Sequence, residues 1–301
     1  MYYYIINPAA GNGRIDKIQN RLKEIIKSLG IDGEMVKTTG PADVYKLTDL
    51  ALKKSCQTIV AVGGDSTVNE VANALIDKKA VLGIIPIGRT NSVAKTLGIE
   101  SWEEACQILA ARKLEKIDLA KISNIPQTDS LETKTRFFLT SVEIGLESKI
   151  NKFRNEKSFF YKISLVQKII KEILNLKEEK LTLEINEDFT ATTEMITVIV
   201  ANCCFSLLNR EFKPNPADKQ LDVLIISKLP KISLLRNIRS IIKGNYENLS
   251  QLSIFKAKNI KLITSKPIEL SIDGEPIMQT PAEIEIVPEK LKIIVGKKRV
   301  F

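Results

Sequence analysis

Residues Thr58 to Ile76, TIVAVGGDSTVNEVANALI, decide the fold class. The apolar run that ends at Val62 is rich in β-branched residues and suits a parallel strand buried on both faces. Gly63 and Gly64 let the backbone turn sharply and approach a ligand with no Cβ in the way. Behind them Val68, Val71, Ala72, Leu75 and Ile76 recur at the spacing of one helical face. Thr67-Val-Asn-Glu70 has capping-box spacing, which predicts a helix starting within a residue or two of the turn. A helix start beside a glycine turn offers unpaired N–H groups and a positive dipole end to an anion. On these residues alone, a plain tight turn between strand and helix fits equally well.

The same unit recurs on both sides. Tyr2 to Asn7 reads as a strand, Pro8-Ala9-Ala10-Gly11-Asn12-Gly13 as a small-residue turn, and Ile15, Ile18, Leu22, Ile25, Ile26 and Leu29 as a helix face stopped by Gly30. An extended stretch then ends at Thr38-Thr39-Gly40, followed by a helix from about Ala42 to Lys54. Val81 to Ile85 is another short apolar strand; Pro86-Ile-Gly88-Arg89-Thr90-Asn91 and a helix with Val93, Ala94 and Leu97 follow it. Trp102 to Ala111 adds one more helix. Such alternation predicts a mostly parallel sheet with helices on both faces, and ligands on these sheets bind beyond the carboxyl ends of the strands. The three turns would gather at that edge. Neither G-x-G-x-x-G nor G-x-x-x-x-G-K-[ST] occurs, so the dinucleotide fingerprint and the Walker loop are absent.

After about residue 113 the texture changes to strand runs: Leu114–Ile122, Arg136–Ile144, Lys180–Ile185, Met195–Cys203, Leu221–Ser227, Ile260–Ile263, Ile268–Ile272, Ala282–Val287 and Leu291–Val295. They predict an antiparallel sandwich or barrel. Pro126 to Ser130 reads as a polar loop, and helical inserts are expected at Phe159–Leu176 and Pro230–Lys243. The first insert is amphipathic with lysines on its polar side, as in a helix lying on a sheet.

At 301 residues, 44% apolar and 27% charged, the chain suits a globular protein of two domains. No apolar run reaches the roughly 18 to 20 residues of a membrane span, and the N-terminus lacks the features of a signal peptide. A cytoplasmic protein is expected. Four cysteines without CxxC spacing read as small buried apolar residues rather than a zinc site. The net charge of +9 suits phosphorylated substrates or anionic lipid. Without a zinc-finger or RNA-binding signature, nucleic acid is not an expected partner. With no histidine in the chain, a general base must be a carboxylate, Lys, Cys or Tyr.

The ordered set Asn7-Pro8-x-x-Gly11, Gly63-Gly64-Asp65-x-Thr67-x-Asn69-Glu70, Leu82-Gly-Ile-Ile-Pro86-x-Gly88-x-x-Asn91, Asp218-x-x-Leu221-Asp222 and Asp273-Gly274-Glu275-Pro276 resembles the diacylglycerol kinase catalytic-domain family. The closest branch is that of the soluble bacterial lipid kinases, which is similar also to sphingosine kinases. The resemblance covers nearly the whole chain. It implies an N-terminal, doubly wound parallel-sheet domain of NAD-kinase/phosphofructokinase type at residues 1–121 plus 289–301. It also implies a C-terminal antiparallel β-sandwich domain at 122–288, with a cleft between the two. Leu291–Val295 would be the last strand returning to the first domain.

The implied activity is ATP- and Mg²⁺-dependent phosphorylation of a hydroxyl of diacylglycerol or a related lipid. Carried over by motif position, Asn7, Pro8, Ala9, Ala10, Gly11, Thr38 or Thr39, and Gly63 to Asn69 with Ser66 and Thr67 would contact nucleotide; Glu70 and Gly88 to Asn91, including Arg89 and Thr90, belong to the same turns. Glu275 would accept the proton, with Asp273 its neighbour and Asp65 serving Mg²⁺. Asp218, with backbone carbonyls near Asn215 and Gln220, matches a structural Mg²⁺ position. The implied partners are the lipid and, transiently, an anionic membrane surface; a homodimer is compatible with the reading. The chemistry agrees, because phosphoryl transfer is mostly positioning and charge neutralisation, with one base to orient the hydroxyl. Taken alone, Asp273-Gly274 would be an ordinary hairpin turn.

Three motifs depart from the family pattern. Ser66 stands where the family has Gly; Arg89 and Ser92 replace a Thr and an acid of Gly-Thr-Gly-Asn-Asp; and Lys219 follows Asp218 where Gly is usual, beside a segment 205–213 that is not glycine-rich. Ser66, Arg89 and Ser92 motivate a second reading, a non-catalytic nucleotide- or lipid-binding relative. An NAD kinase, which shares the Gly-Gly-Asp turn, is a third.

Overall fold

The computed structural model describes residues 1–40, 43–126, 133–155, 161–177, 179–203, 214–243, 245–246, 248–299 and 301. The chain forms two compact units, one of Met1–Leu119, Pro216–Asp218 and Val287–Phe301, the other of Ala120–Asn215 and Lys219–Ile286.

In the first unit the strands Gly33–Lys37, Tyr2–Ile6, Thr58–Gly63 and Val81–Pro86 lie side by side in that order, all parallel. Ile293 of the last strand adds a parallel pairing with Leu82. Every residue of Thr58–Gly63 and Val81–Pro86 is buried, which is why these runs are continuously apolar rather than alternating. Helices Arg14–Ser28, Asp43–Lys53, Asp65–Ala74, Ser92–Thr96 and Trp102–Ala111 complete the unit. Arg14–Ser28 buries Ile15, Leu22 and Ile26, three members of its expected apolar face. The strand order reverses between Tyr2–Ile6 and Thr58–Gly63, which makes the ends of these two strands the topological switch point of the sheet.

The second unit is antiparallel. Glu275–Gln279, Glu269–Ile272, Ser141–Gly145, Phe189–Ala201, Glu179–Ile185, Asn259–Thr264 and the start of Ala282–Ile294 follow one another across the sheet, and Leu221–Ser227 pairs with both Phe189–Ala201 and Leu252–Ala257. The period of two sorts side chains to two cores. Val198 and Val200 join Val142, Ile144, Leu270 and Ile272 on one face. Ile199 and Ala201 face the other way, packing with Ile150 and Ile169 of helices Leu146–Asn155 and Tyr161–Leu174.

Several local expectations are corrected. Ala282–Val287 and Leu291–Val295 are one strand, Ala282–Ile294, which passes from the second unit into the first. The intervening Glu289 has φ 52°, and its N–H donates to Asp118 Oδ1 at 2.7 Å, so the polar interruption finds a partner. The run Arg136–Ile144 is two strands, Thr135–Phe138 and Ser141–Gly145, because Thr140 turns its N–H to a distant carboxylate. Pro230–Lys243 is two short helices, Lys231–Arg236 and Ile238–Ile242. Helix Leu146–Asn155 and strand Leu252–Ala257 were not foreseen. Cys56, Cys106 and Cys203 are buried, as expected of small apolar side chains; Cys204, Phe159 and most of the 126–130 loop lie outside the described residues.

Candidate active site

Three turns meet at the carboxyl edge of the first unit's sheet, and glycine backbone makes the contact. A Cβ on Gly88 would stand 2.5 Å from Gly64 Cα, and one on Gly11 would stand 2.0 Å from the carbonyl oxygen of Ile87. Gly11 also has φ +58°, in the left-handed region that favours glycine. The N–H groups of Ile87 and Gly88 both donate to Gly63 O, at 3.0 and 3.3 Å. Across the switch point, Asn7 Nδ2 donates to Thr67 Oγ1 at 3.0 Å, while Asn7 Oδ1 accepts from Ala9 N–H at 3.0 Å and folds Pro8-Ala9-Ala10 back into a turn. Thr38 N–H donates to Ile6 O at 2.9 Å, next to this turn. Thr39 donates instead to Asp43 Oδ2 at the start of the following helix, through its N–H at 2.8 Å and its hydroxyl at 2.6 Å.

The helix after Gly63-Gly64 begins at once, at Asp65, with Gly64 as its N-cap. The expected capping box is not formed, since Thr67 and Glu70 already lie within the helix and Thr67 Oγ1 is engaged by Asn7. Asp65 caps a different helix: its Oδ1 accepts from Val93 N–H at 3.0 Å. Burial raises its carboxyl, while the N–H groups of Ser92, Val93 and Asn91 and the Lys95 charge pull it down. Ser92, where the family pattern has an acid, is buried in the helix that Asp65 caps. Asn69 is buried beside Asn73, whose Nδ2 donates to its carbonyl at 2.9 Å. Asn91 takes φ 54° and donates to Gly88 O at 3.0 Å, while its Oδ1 is buried and accepts no hydrogen bond among the described residues. Ser66, Arg89 and Thr90 are exposed. Ser66 is not among the residues with positive φ, so its backbone does not call for glycine. Lys219 does take such a conformation, with φ 61°.

In the second unit Asp273 and Gly274 have φ 50° and φ +82° and form the two-residue link between Glu269–Ile272 and Glu275–Gln279, the geometry of a tight hairpin. The turn is more than a link, because Asp273 is anchored. Its Oδ1 accepts from Thr140 N–H at 2.9 Å and from the Thr140 hydroxyl, and its own N–H donates to Ser141 O at 2.9 Å. Burial pushes the Asp273 carboxyl up from 3.8 to about 6, against these donors and the Arg136 charge. Glu275, two residues on, is exposed, with Arg136 Nη2 at 3.5 Å from its Oε2. Arg136, Thr140, Ser141 and Glu143 carry no motif; the visible signal was a Glu in the otherwise small and apolar strand Ser141–Gly145.

Asp218, Asn215 and Gln220 occupy the segment before strand Leu221–Ser227. Among the described residues, no group of three or more His, Cys, Asp or Glu is placed to hold a metal ion. Among the same residues, no helix is long and apolar enough to cross a membrane.

Comparison with known proteins gives two family matches. Residues 1–122 match the family model of the diacylglycerol kinase catalytic domain, and residues 140–295 match that of the YegS C-terminal NAD kinase beta sandwich-like domain. A Staphylococcus aureus (strain MSSA476) protein named "Putative lipid kinase SAS0691" is 27% identical over 297 residues, covering 94% of this chain and 92% of the relative. A second, from strain MRSA252 and named "Putative lipid kinase SAR0780", has the same identity and coverage. A solved diacylglycerol kinase structure from Bacillus anthracis str. Sterne shares the fold, with TM-score 0.73 and 21% identity over 99% of this chain and 98% of that one.

Proposed function

The chain belongs to the family that joins a diacylglycerol kinase catalytic domain to a YegS-type C-terminal domain, and from that premise we propose that it is an ATP- and Mg²⁺-dependent lipid kinase acting on a hydroxyl of diacylglycerol or a related lipid. The observation that carries this reading is the glycine cradle at the switch point. Gly63, Gly64 and Gly88 let the turns close on one another beside the first turn of helix Asp65–Ala74, where a Cβ on Gly88 would stand 2.5 Å from Gly64 Cα. Unpaired N–H groups there, with the helix dipole behind them, suit phosphate. Residues 1–121 plus 289–301 would hold the nucleotide and residues 122–288 the lipid.

On this reading the chain's own groups perform three tasks. Backbone N–H groups at Gly64, Asp65 and Ser66 bind and orient the phosphates, and Asn7, tied to Thr67, holds the first turn against the second. Glu275 accepts the hydroxyl proton, with Arg136 Nη2 3.5 Å from its Oε2. Asp273 holds the turn on which Glu275 stands. Mg²⁺, when bound, would supply positive charge to the transferring phosphoryl group, with Asp65 the carboxylate nearest the cradle; Asp218 is the proposed ligand of a second, structural ion. The net charge of +9 would favour a transient stay at an anionic membrane, where the lipid lies.

The departure at Ser66 carries less weight against activity than its position in the motif suggests, since the residue lies in the first turn of helix Asp65–Ala74 without a positive φ. The test is lipid phosphorylation by the wild-type chain and by Glu275→Gln. The variant should lose about 10²- to 10⁴-fold in turnover, the range for removing a general base, while binding nucleotide unchanged. Undiminished phosphorylation by the variant would remove Glu275 from its role.

A further inference from the structure

The helices that cover the second unit's sheet do not bury all of their apolar residues. Helix Tyr161–Leu174 places Leu165, Ile169 and Ile173 in one core with the strand residues Ile199 and Leu224, and helices Lys231–Arg236 and Ile238–Ile242 add Leu234 and Ile241 to it. Those residues account for the inner faces, and the outer faces of such helices are ordinarily polar. Yet Leu174 is 54% exposed and Ile232 is 58% exposed. The two stand at one corner, because Lys231 Nζ donates to Leu174 O at 2.6 Å and so caps the end of one helix from the start of another.

The exposed charge around this corner has one sign. Lys171 stands one turn before Leu174 and Lys177 comes shortly after it; Arg236 stands one turn after Ile232, with Arg239 beyond, and all four are exposed. Residues 228–243 hold five Lys or Arg and no Asp or Glu. Glu172, the acid of the first helix, is engaged by Lys149 at 2.7 Å, and Lys228 by Glu194 at 3.1 Å, so these pairs leave the positive sign of the corner unchanged.

Aliphatic tips ringed by bases suit a lipid surface, where apolar side chains enter the headgroup boundary and bases meet lipid phosphates. A nucleic acid would use the bases and gain nothing from Leu174 and Ile232. A second copy seated on the same face would set like charges against one another. The corner also belongs to a layer that borders the hairpin of Glu275: helix Leu146–Asn155 packs on Tyr161–Leu174 and touches strands Glu269–Ile272 and Glu275–Gln279.

We propose that this corner is the surface by which the second unit docks onto an anionic lipid bilayer, with Leu174 and Ile232 entering the headgroup boundary, Lys171, Lys177, Arg236 and Arg239 meeting lipid phosphates, and Lys231 holding the two helices together. The docking is independent of the lipid-kinase reading; its use in bringing substrate to Glu275 rests on that reading.

The test is co-sedimentation of the protein with vesicles of phosphatidylcholine alone and of phosphatidylcholine and phosphatidylglycerol in equal parts. Wild type should pellet with the anionic vesicles, less so as salt rises, and stay in solution with the neutral ones. Leu174→Ser with Ile232→Ser should weaken binding about tenfold or more, through the apolar burial lost. Arg236→Gln with Arg239→Gln should weaken it about 10- to 30-fold, at roughly fivefold per base. Both pairs alter exposed side chains, so their thermal midpoints should match wild type. Ile232→Trp supplies a signal of its own: its fluorescence should move to shorter wavelength on the anionic vesicles, against the buried Trp102 of the first unit.

Binding by the serine pair equal to that of wild type overturns the proposal, even where the arginine pair loses affinity, since that result describes a purely electrostatic surface such as a nucleic acid would use. Equal pelleting with both kinds of vesicle, or with neither, overturns it as well. So does a dimer in sedimentation equilibrium that Ile232→Ser dissolves, which would give the face to a second copy. In the phosphorylation assay the serine pair should raise KM for lipid presented in vesicles and leave turnover of a short-chain, dispersed lipid unchanged. A wild type that binds anionic vesicles through this corner and phosphorylates no lipid would keep the docking surface and remove the kinase reading.

Discussion

The turn at Gly63-Gly64-Asp65 and the turn at Asp273-Gly274-Glu275 are both short, glycine-bearing and acid-bearing, yet they are built on opposite principles. The first works by what is absent. Its glycines pack against the Thr67 side chain and the Gly88 backbone, and a Cβ on Gly88 would come within 2.5 Å of Gly64 Cα. The second works by side chains: its acid is held by Thr140 and Ser141, residues more than 130 positions away in the chain. A backbone cradle suits a ligand that brings its own charge, such as phosphate. An anchored acid suits a task in which a proton changes hands.

If that contrast holds, the first turn should be broken by adding atoms and the second by removing donors. The largest effect is expected for Gly11→Ala, which forces a side chain into the left-handed region and against the Ile87 carbonyl. A loss of about 2–4 kcal/mol should appear in denaturant unfolding, together with lost nucleotide binding. Unchanged stability would mean that the turns are not packed as described. Next is Thr140→Val, which deletes the hydroxyl donor to Asp273. A cost of about 1–3 kcal/mol is expected, with the Asp273 carboxyl rising further above about 6, so that the acidic limb of the pH–rate profile moves to higher pH while nucleotide affinity stays constant. A fall in nucleotide affinity would blur the division between the turns. The smallest effect is that of Ser66→Gly. With no strained φ to relieve, the change should destabilise by roughly 0.5–1 kcal/mol, the usual cost of glycine in a helix. A tenfold gain in nucleotide affinity would instead show that the Ser66 side chain obstructs the phosphates.

The two turns also differ in how far they could be read from the chain. The apolar run into Gly63-Gly64 and the helical spacing from Val68 onward are local signals, and they located the strand, the turn and the helix. The capping box at Thr67 and Glu70 misled because Gly64 can itself cap the helix, which freed Thr67 to bind Asn7 across the sheet. Strand Ala282–Ile294 looked broken at Pro288-Glu289 because the partner that accommodates the break, Asp118, is far away in the chain. Asp273-Gly274 was legible as a hairpin, but its burial, its anchor at Thr140 and its neighbour Glu143 depend on the pairing of Glu269–Ile272 with Ser141–Gly145. No local pattern encodes that pairing.

On the proposed reading, one chain carries both halves of a phosphoryl transfer to lipid. Incubating the purified protein with ATP labelled at its γ-phosphate, Mg²⁺ and a total lipid extract tests this most directly. The account predicts label in a lipid product that Glu275→Gln fails to form, and label remaining in ATP, or transferred to NAD and to no lipid, would contradict it.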